Sequence, residues 1–191
     1  MKELEIFINS ISPISQHTWE QVMPLFSAFE LKKGHYFIEQ GQMATKIGFL
    51  QSGIVRAFYR NDEGVEYNKH FFVPNSFVGG YASFITGKPN QIIQQALTNC
   101  HILVADYAKF SKLFDNHSDL ERTARKLAEI FFVNKEGREI EIVLLDAETR
   151  YGIFQKQFPD LEQIIPQYHI ASYLGITPTQ LSRIRRKLTK R

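Results

Sequence analysis

The sequence has little cysteine and no long hydrophobic segment. Cys100 is the only cysteine among the 191 residues, so the chain has no disulfide framework and no cysteine-based zinc or iron–sulfur motif. No stretch approaches the roughly 20 apolar residues that a membrane-spanning helix needs. The N-terminal segment MKELEIFINS contains two glutamates and no apolar run, so we expect no signal peptide. These absences predict a cytoplasmic protein without a membrane partner.

Residue patterns typical of enzymes are also missing. The six histidines are scattered, without the His-x-His pair and following glutamate of a cupin-type metal enzyme. There is no glycine-rich phosphate loop and no Gly-x-Ser-x-Gly motif. We therefore predict no catalytic residue, no metal and no cofactor, and keep a cupin-like metal enzyme only as an alternative. His70 could be a lone haem ligand, but we prefer to interpret it as a packed or surface histidine.

Acidic residues are absent from the C-terminal end. Residues 183–191 contain six lysines or arginines and no acid, yet the whole chain has a net charge of only +3, so the remainder is mildly acidic. Such an asymmetry indicates an anionic partner that binds at one end. A solvated basic tail would have the same composition, so the charge must be judged together with the motifs around it.

The middle of the chain, residues 28–104, has the pattern of a β domain. Short runs of β-branched and aromatic residues, such as HYFIEQG and IVRAFYRNDEG, alternate with turn glycines. This spacing predicts a sandwich, jelly roll or barrel. The segments before residue 26 and after residue 106 have helical periodicity instead.

One predicted helix, residues 118–145, is unusually long. Leu120, Ala124, Leu127 and Phe131 recur at i, i+4, i+7 and i+11, which suits packing against another helix. The helix could pack on its own β domain. Its length, combined with the heptad spacing, favours a dimer interface formed by these four residues.

The segment from Ile165 to Leu188, IPQYHIASYLGITPTQLSRIRRKL, predicts two short helices joined by a glycine turn. Gly175 stands where a left-handed residue is needed, Thr177 suits an N-cap and Pro178 suits the first helical position. The second helix carries arginine, glutamine and hydroxyl groups, which can read base edges, and further cations, which suit phosphates. An ordinary helical hairpin with a basic face is the alternative. The predicted DNA-binding residues are Thr177, Pro178, Thr179, Gln180, Ser182, Arg183, Arg186, Lys187 and Lys190.

At these motifs the sequence resembles the Crp/Fnr family of bacterial regulators. The resemblance is carried by IASYLGITPTQLSRIRRKL, by FLQSGIVRAFY and FVPNSFVGG in the β domain, and by the long helix that ends near Asp146. It implies a homodimer that binds double-stranded DNA near promoters, with RNA polymerase as a partner. By position, the base-reading residues would be Pro178, Thr179 and Arg183, with Gln180 and Ser182 beside them.

The resemblance also implies the fold class and the domains. We predict an α+β protein with an N-terminal cyclic-nucleotide-binding-type β-roll (a double-stranded jelly roll), a long dimerisation helix and a C-terminal helix-turn-helix with a truncated wing. The predicted boundaries are 1–117 for the effector-sensing β-roll, 118–146 for the dimerisation helix and 147–191 for the DNA-binding domain.

The expected effector pocket departs from the family pattern. The family's glutamate, which holds the ribose, is replaced by Gly80, and its arginine and serine at the phosphate are replaced by Asn90 and Gln91. We therefore predict that cyclic AMP is not bound in the family's usual way. An unknown small-molecule effector could instead meet backbone amides of this segment. The predicted pocket residues are Gly79, Gly80, Tyr81, Asn90 and Gln91.

The sequence thus predicts a DNA-binding transcription regulator. The main alternative is a β-roll sensor that acts through a protein partner without binding DNA. Neither the effector, the operator nor the direction of regulation follows from the sequence.

Overall fold

The computed structural model describes residues 1–189 of the chain, and helices dominate both of its ends. The helices lie mainly where periodicity predicts them, before residue 26 and after residue 106, whereas α3 lies inside the segment predicted as a β domain. Two 3₁₀ turns, at Met23–Leu25 and Leu113–Asp115, follow α2 and α4. The helices are α1 Lys2–Ile11, α2 Gln16–Val22, α3 Tyr81–Thr86, α4 Tyr107–Lys112, α5 Ser118–Leu144, α6 Ala147–Gln157, α7 Leu161–Ile164, α8 Gln167–Leu174 and α9 Pro178–Thr189.

The central part forms two four-stranded sheets, ordered β1-β8-β3-β6 and β2-β7-β4-β5. Strand pairs β1–β8, β2–β7, β3–β6 and β3–β8 are antiparallel, with Phe49 on β3 opposite Leu103 on β8. The mixed α/β architecture with antiparallel sheets and a long helix confirms the predicted fold class. The strands are β1 Ser27–Leu31, β2 Tyr36–Ile38, β3 Lys46–Ser52, β4 Val55–Arg60, β5 Glu66–Phe72, β6 Ser76–Val78, β7 Ile93–Ala96 and β8 Cys100–Asp106.

Strand β3 has an apolar cluster on each of its faces. Because side chains alternate along a strand, Phe49 and its neighbour Leu50 point to opposite sides. Phe49 packs with the N-terminal helices, including Leu4 and Trp19. Leu50 packs in a second cluster with other strand residues, such as Ile102. The β domain is therefore filled between its sheets and covered by helices on one outer face.

Gly48, also on β3, is required by close packing. A Cβ atom at this position would lie 2.7 Å from Ile102 Cγ2 and 2.9 Å from Val78 Cγ2. Both distances are shorter than ordinary carbon contacts, so any larger residue would push the neighbouring strands apart.

The chain divides into two compact units. The first comprises residues 1–57 and 71–132, and the second comprises residues 58–70 and 133–191. The tip of the β4–β5 hairpin, residues 58–70, thus belongs with the C-terminal helices, and α5 contributes to both units. The domain boundaries predicted at residues 117 and 146 stay a prediction. Across residues 1–189, none of the helices is both long enough and apolar enough to cross a membrane.

Candidate nucleic-acid interface and effector corner

The last two helices, α8 and α9, are joined by a tight turn. Gly175 follows α8 with φ +68°, a left-handed conformation that glycine adopts without strain. The backbone N–H of Ile176 donates to the carbonyl of Ala171 at 3.0 Å, which closes the end of α8. Leu181 of α9 is completely buried, as is Leu174 of α8. These contacts fix the direction in which α9 leaves the turn.

The start of α9 is closed by a capping box. The N–H of Gln180 donates to Thr177 Oγ1 at 3.2 Å, and Gln180 Oε1 accepts from the N–H of Thr177 at 2.9 Å. Thr177 has the predicted N-cap role. Sequence reasoning missed that Gln180 is the second member of this capping box, although a glutamine three residues after a threonine is the signal for it. A bidentate contact of Gln180 to adenine would have to replace these hydrogen bonds of the cap.

Four polar side chains share the outward face of α9. Thr179, Ser182, Arg183 and Arg186 are all exposed, and their i, i+3, i+4, i+7 spacing places them on one stripe. We call these four residues the exposed stripe. They belong to the predicted DNA-binding set, as does Pro178 at the first position of the helix. Lys190, from the same set, lies outside the described residues.

Two further cations on the flanks of α9 face carboxylates. Lys187 Nζ lies 2.5 Å from Glu148 Oε2, and Arg185 Nε lies 3.7 Å from Glu162 Oε2. Glu162 also accepts a hydrogen bond from the hydroxyl of Tyr151. Burial, together with Glu162, raises the pKa of Tyr151 to about 12. The sequence prediction of phosphate binding by Lys187 did not include Glu148, because 39 residues separate the two.

The β4–β5 hairpin tip is hydrogen-bonded to α8. The N–H of Asn68 donates to Ser172 Oγ at 2.9 Å, and that hydroxyl donates to the carbonyl of Glu66 at 3.0 Å. The side-chain amide of Asn68 donates to the carbonyl of His169 at 3.0 Å, and both residues are buried. The hairpin tip is therefore a built-in part of the unit that contains α9.

His70, at the base of this hairpin tip, is partly buried against Phe158, with 5.8 Å between the ring centroids. Burial, followed by the positive charges of Lys69 and Arg138, lowers the pKa of His70 to about 4. The ring is thus packed, in the way that we preferred to interpret it. Within residues 1–189, no group of three or more His, Cys, Asp or Glu side chains is arranged to hold a metal ion.

The predicted dimer residues on α5 have different environments. Leu120 is 1% exposed and packs in the core of the first unit with residues such as Trp19. Leu120 is therefore a core residue, and its assignment to a dimer interface is wrong, because no surface of it remains for a second chain. Ala124 and Leu127 are half-buried, and Phe131 is exposed.

Other apolar side chains of α5 are exposed, and sequence reasoning did not single them out. In the second unit, Val133, Ile140, Val143 and Leu144 are between 56% and 79% exposed. Within the second unit, α5 contacts α8 through Arg138, whose guanidinium lies 4.0 Å from the ring centroid of Tyr173. Helical spacing puts Val133, Ile140 and Leu144 on the side away from Arg138.

The corner of the β domain around Gly80 and Asn90 is closely packed. A Cβ atom at Gly80 would lie 2.8 Å from Ala44 Cβ and 3.1 Å from Asn90 Oδ1. Asn90 is buried, and its side-chain amide donates to the carbonyls of Ile92 at 2.7 Å and Glu39 at 3.1 Å. Gln91 is exposed. We call this region the effector corner, since it holds the residues predicted for the effector pocket.

Backbone groups of the effector corner are also engaged. The N–H of Gly79 donates to Gln94 Oε1 at 2.9 Å, and the amide of Gln94 donates back to the carbonyl of Gly79 at 2.8 Å. The N–H of Tyr81 lies 3.1 Å from the same carbonyl. Two of the three amides expected to meet an effector therefore already have acceptors inside the chain.

A buried cation that sequence reasoning missed lies in the same unit. Arg56 on β4 is 4% exposed and donates from both Nε and Nη2 to Gln95 Oε1 on β7. The sequence did not indicate that Arg56 is buried, because a strand pattern alone does not show which neighbour will accept hydrogen bonds from a polar residue.

Comparison with known proteins agrees with this architecture. Residues 28–117 match the cyclic nucleotide-binding domain family. The chain is 24% identical over 164 residues to the cAMP-activated global transcriptional regulator CRP of Salmonella typhimurium, with 79% of this chain and 77% of that protein covered. These matches agree with the resemblance of the chain to the Crp/Fnr family. The recognition made from sequence motifs is thereby confirmed.

Two solved structures have the same fold as this chain. FixK2 from Bradyrhizobium japonicum superposes with a TM-score of 0.77 at 14% identity, covering 86% of this chain and 85% of that one. A putative transcriptional regulator of the crp/fnr family from Eubacterium rectale superposes with a TM-score of 0.73 at 15% identity, covering 92% and 84%. At such identities the likeness establishes the fold of this protein and leaves its ligands to be argued from its own residues.

Proposed function

We propose that this protein is a sequence-specific DNA-binding transcription regulator of the Crp/Fnr type that acts as a homodimer. The observation that carries the proposal is the exposed stripe of α9, which presents two guanidinium and two hydroxyl groups from a helix fixed by a glycine turn and a capping box. A helix of this kind fits the major groove, where such groups can read base edges. The relatives named above as transcriptional regulators support the same function.

The stripe can be divided by position along α9. Thr179, Ser182 and Arg183 lie in the N-terminal half of the helix, the part that meets base edges when a recognition helix enters the groove. Arg186 lies one turn further on, where a phosphate is the more accessible partner. We assign base reading chiefly to Arg183, because a guanidinium can contact guanine with two parallel hydrogen bonds.

The proposed dimer interface uses the exposed apolar residues of α5. Val133, Gly137, Ile140 and Leu144 follow one another at intervals of four, three and four, the spacing of a coiled-coil seam. We call these four residues the seam. Nothing lies within 4 Å of a Cβ position at Gly137, which leaves room for a second helix to approach. Exposed side chains as apolar as these are stabilised when a partner removes them from water.

The effector corner supports a regulator that does not use cyclic AMP in the family's usual way. A glutamate at position 80 would collide with Ala44, and position 90 supplies no cation for a cyclic phosphate. A charged phosphate withdrawn from water needs a paired cation or several aimed donors, and the donors of Gly79 and Asn90 are already engaged. RNA polymerase as a partner, a different effector and a cytoplasmic location stay predictions.

The test of the proposed function is selection of bound sequences from a random DNA library by the purified full-length protein, followed by salt titration of the selected site. We expect a two-fold symmetric consensus and an affinity that falls steeply with salt. Retention of no DNA at low salt, with capture of a protein partner instead, would favour the alternative of a sensor that acts without DNA. Turnover that depends on added metal would favour the cupin-like enzyme.

A further inference from the structure

The cations of α9 fall into two groups with different surroundings. Arg183 and Arg186 lie on the exposed stripe, whereas Lys187 lies on the flank and forms an ion pair with Glu148. The side chains of Lys187 and Glu148 are 56% and 28% exposed, so the pair is reached by solvent. An ion pair of this kind is weak and can exchange its partner, because water and salt screen both charges.

Glu148 is held in place by the fold. It lies in the first turn of α6, which Asp146 caps by accepting from the N–H of Thr149 at 2.8 Å. Two residues further on, Arg150 donates to the carbonyl of Leu174 at 2.9 Å, which ties this turn to the end of α8. The carboxylate is therefore fixed beside the recognition helix, while the lysine at the end of its flexible stem can move.

We propose that Glu148 is a built-in competitor of the DNA phosphates for Lys187, and that it sets the affinity and salt dependence of DNA binding. The inference rests on the proposed function. A lysine that pairs with a phosphate releases counterions from the DNA, and each such contact steepens the dependence of affinity on salt. A lysine held by Glu148 must first leave its carboxylate, so part of its contribution is cancelled.

The competition predicts opposite effects for the two partners. Glu148→Gln keeps the shape of the side chain and removes its charge. The full-length variant should bind both selected and random duplexes roughly two- to fivefold more tightly at low salt. The slope of log affinity against log salt should steepen by about 0.9 for each Lys187 that gains a phosphate. Lys187→Gln should weaken binding more in the Glu148→Gln background than in the wild-type protein.

A charge-matched control separates local competition from a general change in the field of the protein. Glu139→Gln removes the same charge from a carboxylate that pairs with Lys135 on α5, and it should leave the salt slope unchanged. Equal slopes for Glu148→Gln and Glu139→Gln would overturn the proposal, as would an equal loss from Lys187→Gln in both backgrounds. Absence of DNA binding in the wild-type protein and in every variant would overturn the proposed function together with it.

Discussion

The effector corner of the β domain and the exposed stripe of α9 use their polar groups in opposite ways. In the corner, the amide of Asn90 and the N–H of Gly79 are bound to other groups of the same chain. On α9, Arg183 and Arg186 project into solvent from a helix whose N-terminal end is closed by its capping box. The comparison teaches that a group engaged within the fold stabilises it, whereas a group left outside is available to a partner.

The same reasoning applies to apolar groups. The largest effect is expected for a substitution in the seam of α5, where exposed apolar side chains are available to a second chain. Ile140→Asp would place a charge from each copy in the proposed interface, where it would lose its hydration. We expect the dimer dissociation constant to rise about 100-fold or more, which is at least ~3 kcal/mol. Sedimentation velocity over a concentration series measures this change, and operator affinity should fall with it.

Asn134→Asp is the matched control for the seam, because it creates the same residue at an exposed position of α5 outside the seam. It should leave the dissociation constant within about threefold of the wild-type value. A wild-type protein that is a monomer at micromolar concentration and still binds a palindromic site would contradict the proposal that the exposed seam is a dimer interface.

The next largest effect is expected in the effector corner. Gly80→Glu restores the family's ribose-binding residue, but its side chain would collide with Ala44 and bury a charge. We expect a loss of about 3 kcal/mol or more in the free energy of unfolding, measured by urea denaturation, and no cyclic AMP binding by calorimetry. Gln91→Glu adds the same charge at an exposed position and should change stability by no more than about 0.5 kcal/mol. Normal stability with micromolar cyclic AMP binding by Gly80→Glu would show that the corner is still a usable pocket.

A third test concerns His70, a titratable group engaged within the second unit. Its pKa is about 4 in the folded protein and about 6.5 when unfolded, so the unfolded chain binds more protons between these values. Stability from His70 is therefore complete above pH ~6.5 and is lost as the pH falls towards 4, by up to ~3 kcal/mol. His70→Phe should remove this part of the pH dependence, measured as the difference between variant and wild-type unfolding curves. The exposed His101 provides the control, and an equal effect of His101→Phe would contradict the assignment.

The smallest of these effects, and the most specific, is expected on the exposed stripe. Arg183→Ala should cost about 1–3 kcal/mol in affinity for the selected site and relax the preference at one base position, with the free energy of unfolding nearly unchanged. Arg122→Ala, which removes an exposed cation from the part of α5 in the first unit, should leave base preference intact. A uniform loss of affinity for all DNA sequences would show that Arg183 binds phosphate and does not read bases.

Local chemistry made α9 and the turn before it predictable from the sequence. The left-handed conformation of Gly175, the N-cap of Thr177 and the start of α9 at Pro178 each depend on a few neighbouring residues. The stripe followed because helical periodicity places residues three and four apart on one face. The family motifs rest on the same local signals, which explains why the resemblance was visible without any knowledge of long-range contacts.

Only the tertiary structure decided which groups remain available to a partner. Helical spacing alone predicted that Leu120 and Phe131 both lie in a dimer interface. The packing of the first unit buries Leu120 and leaves Phe131 exposed. The sequence placed Lys187 among the cations that bind phosphates, whereas in the structure Glu148 of α6 forms an ion pair with it. Burial and ion pairing depend on segments far apart in the chain. The sequence by itself therefore determined the start of α9 and which residues could act. The packing of distant elements determined which of these residues are left outside the fold.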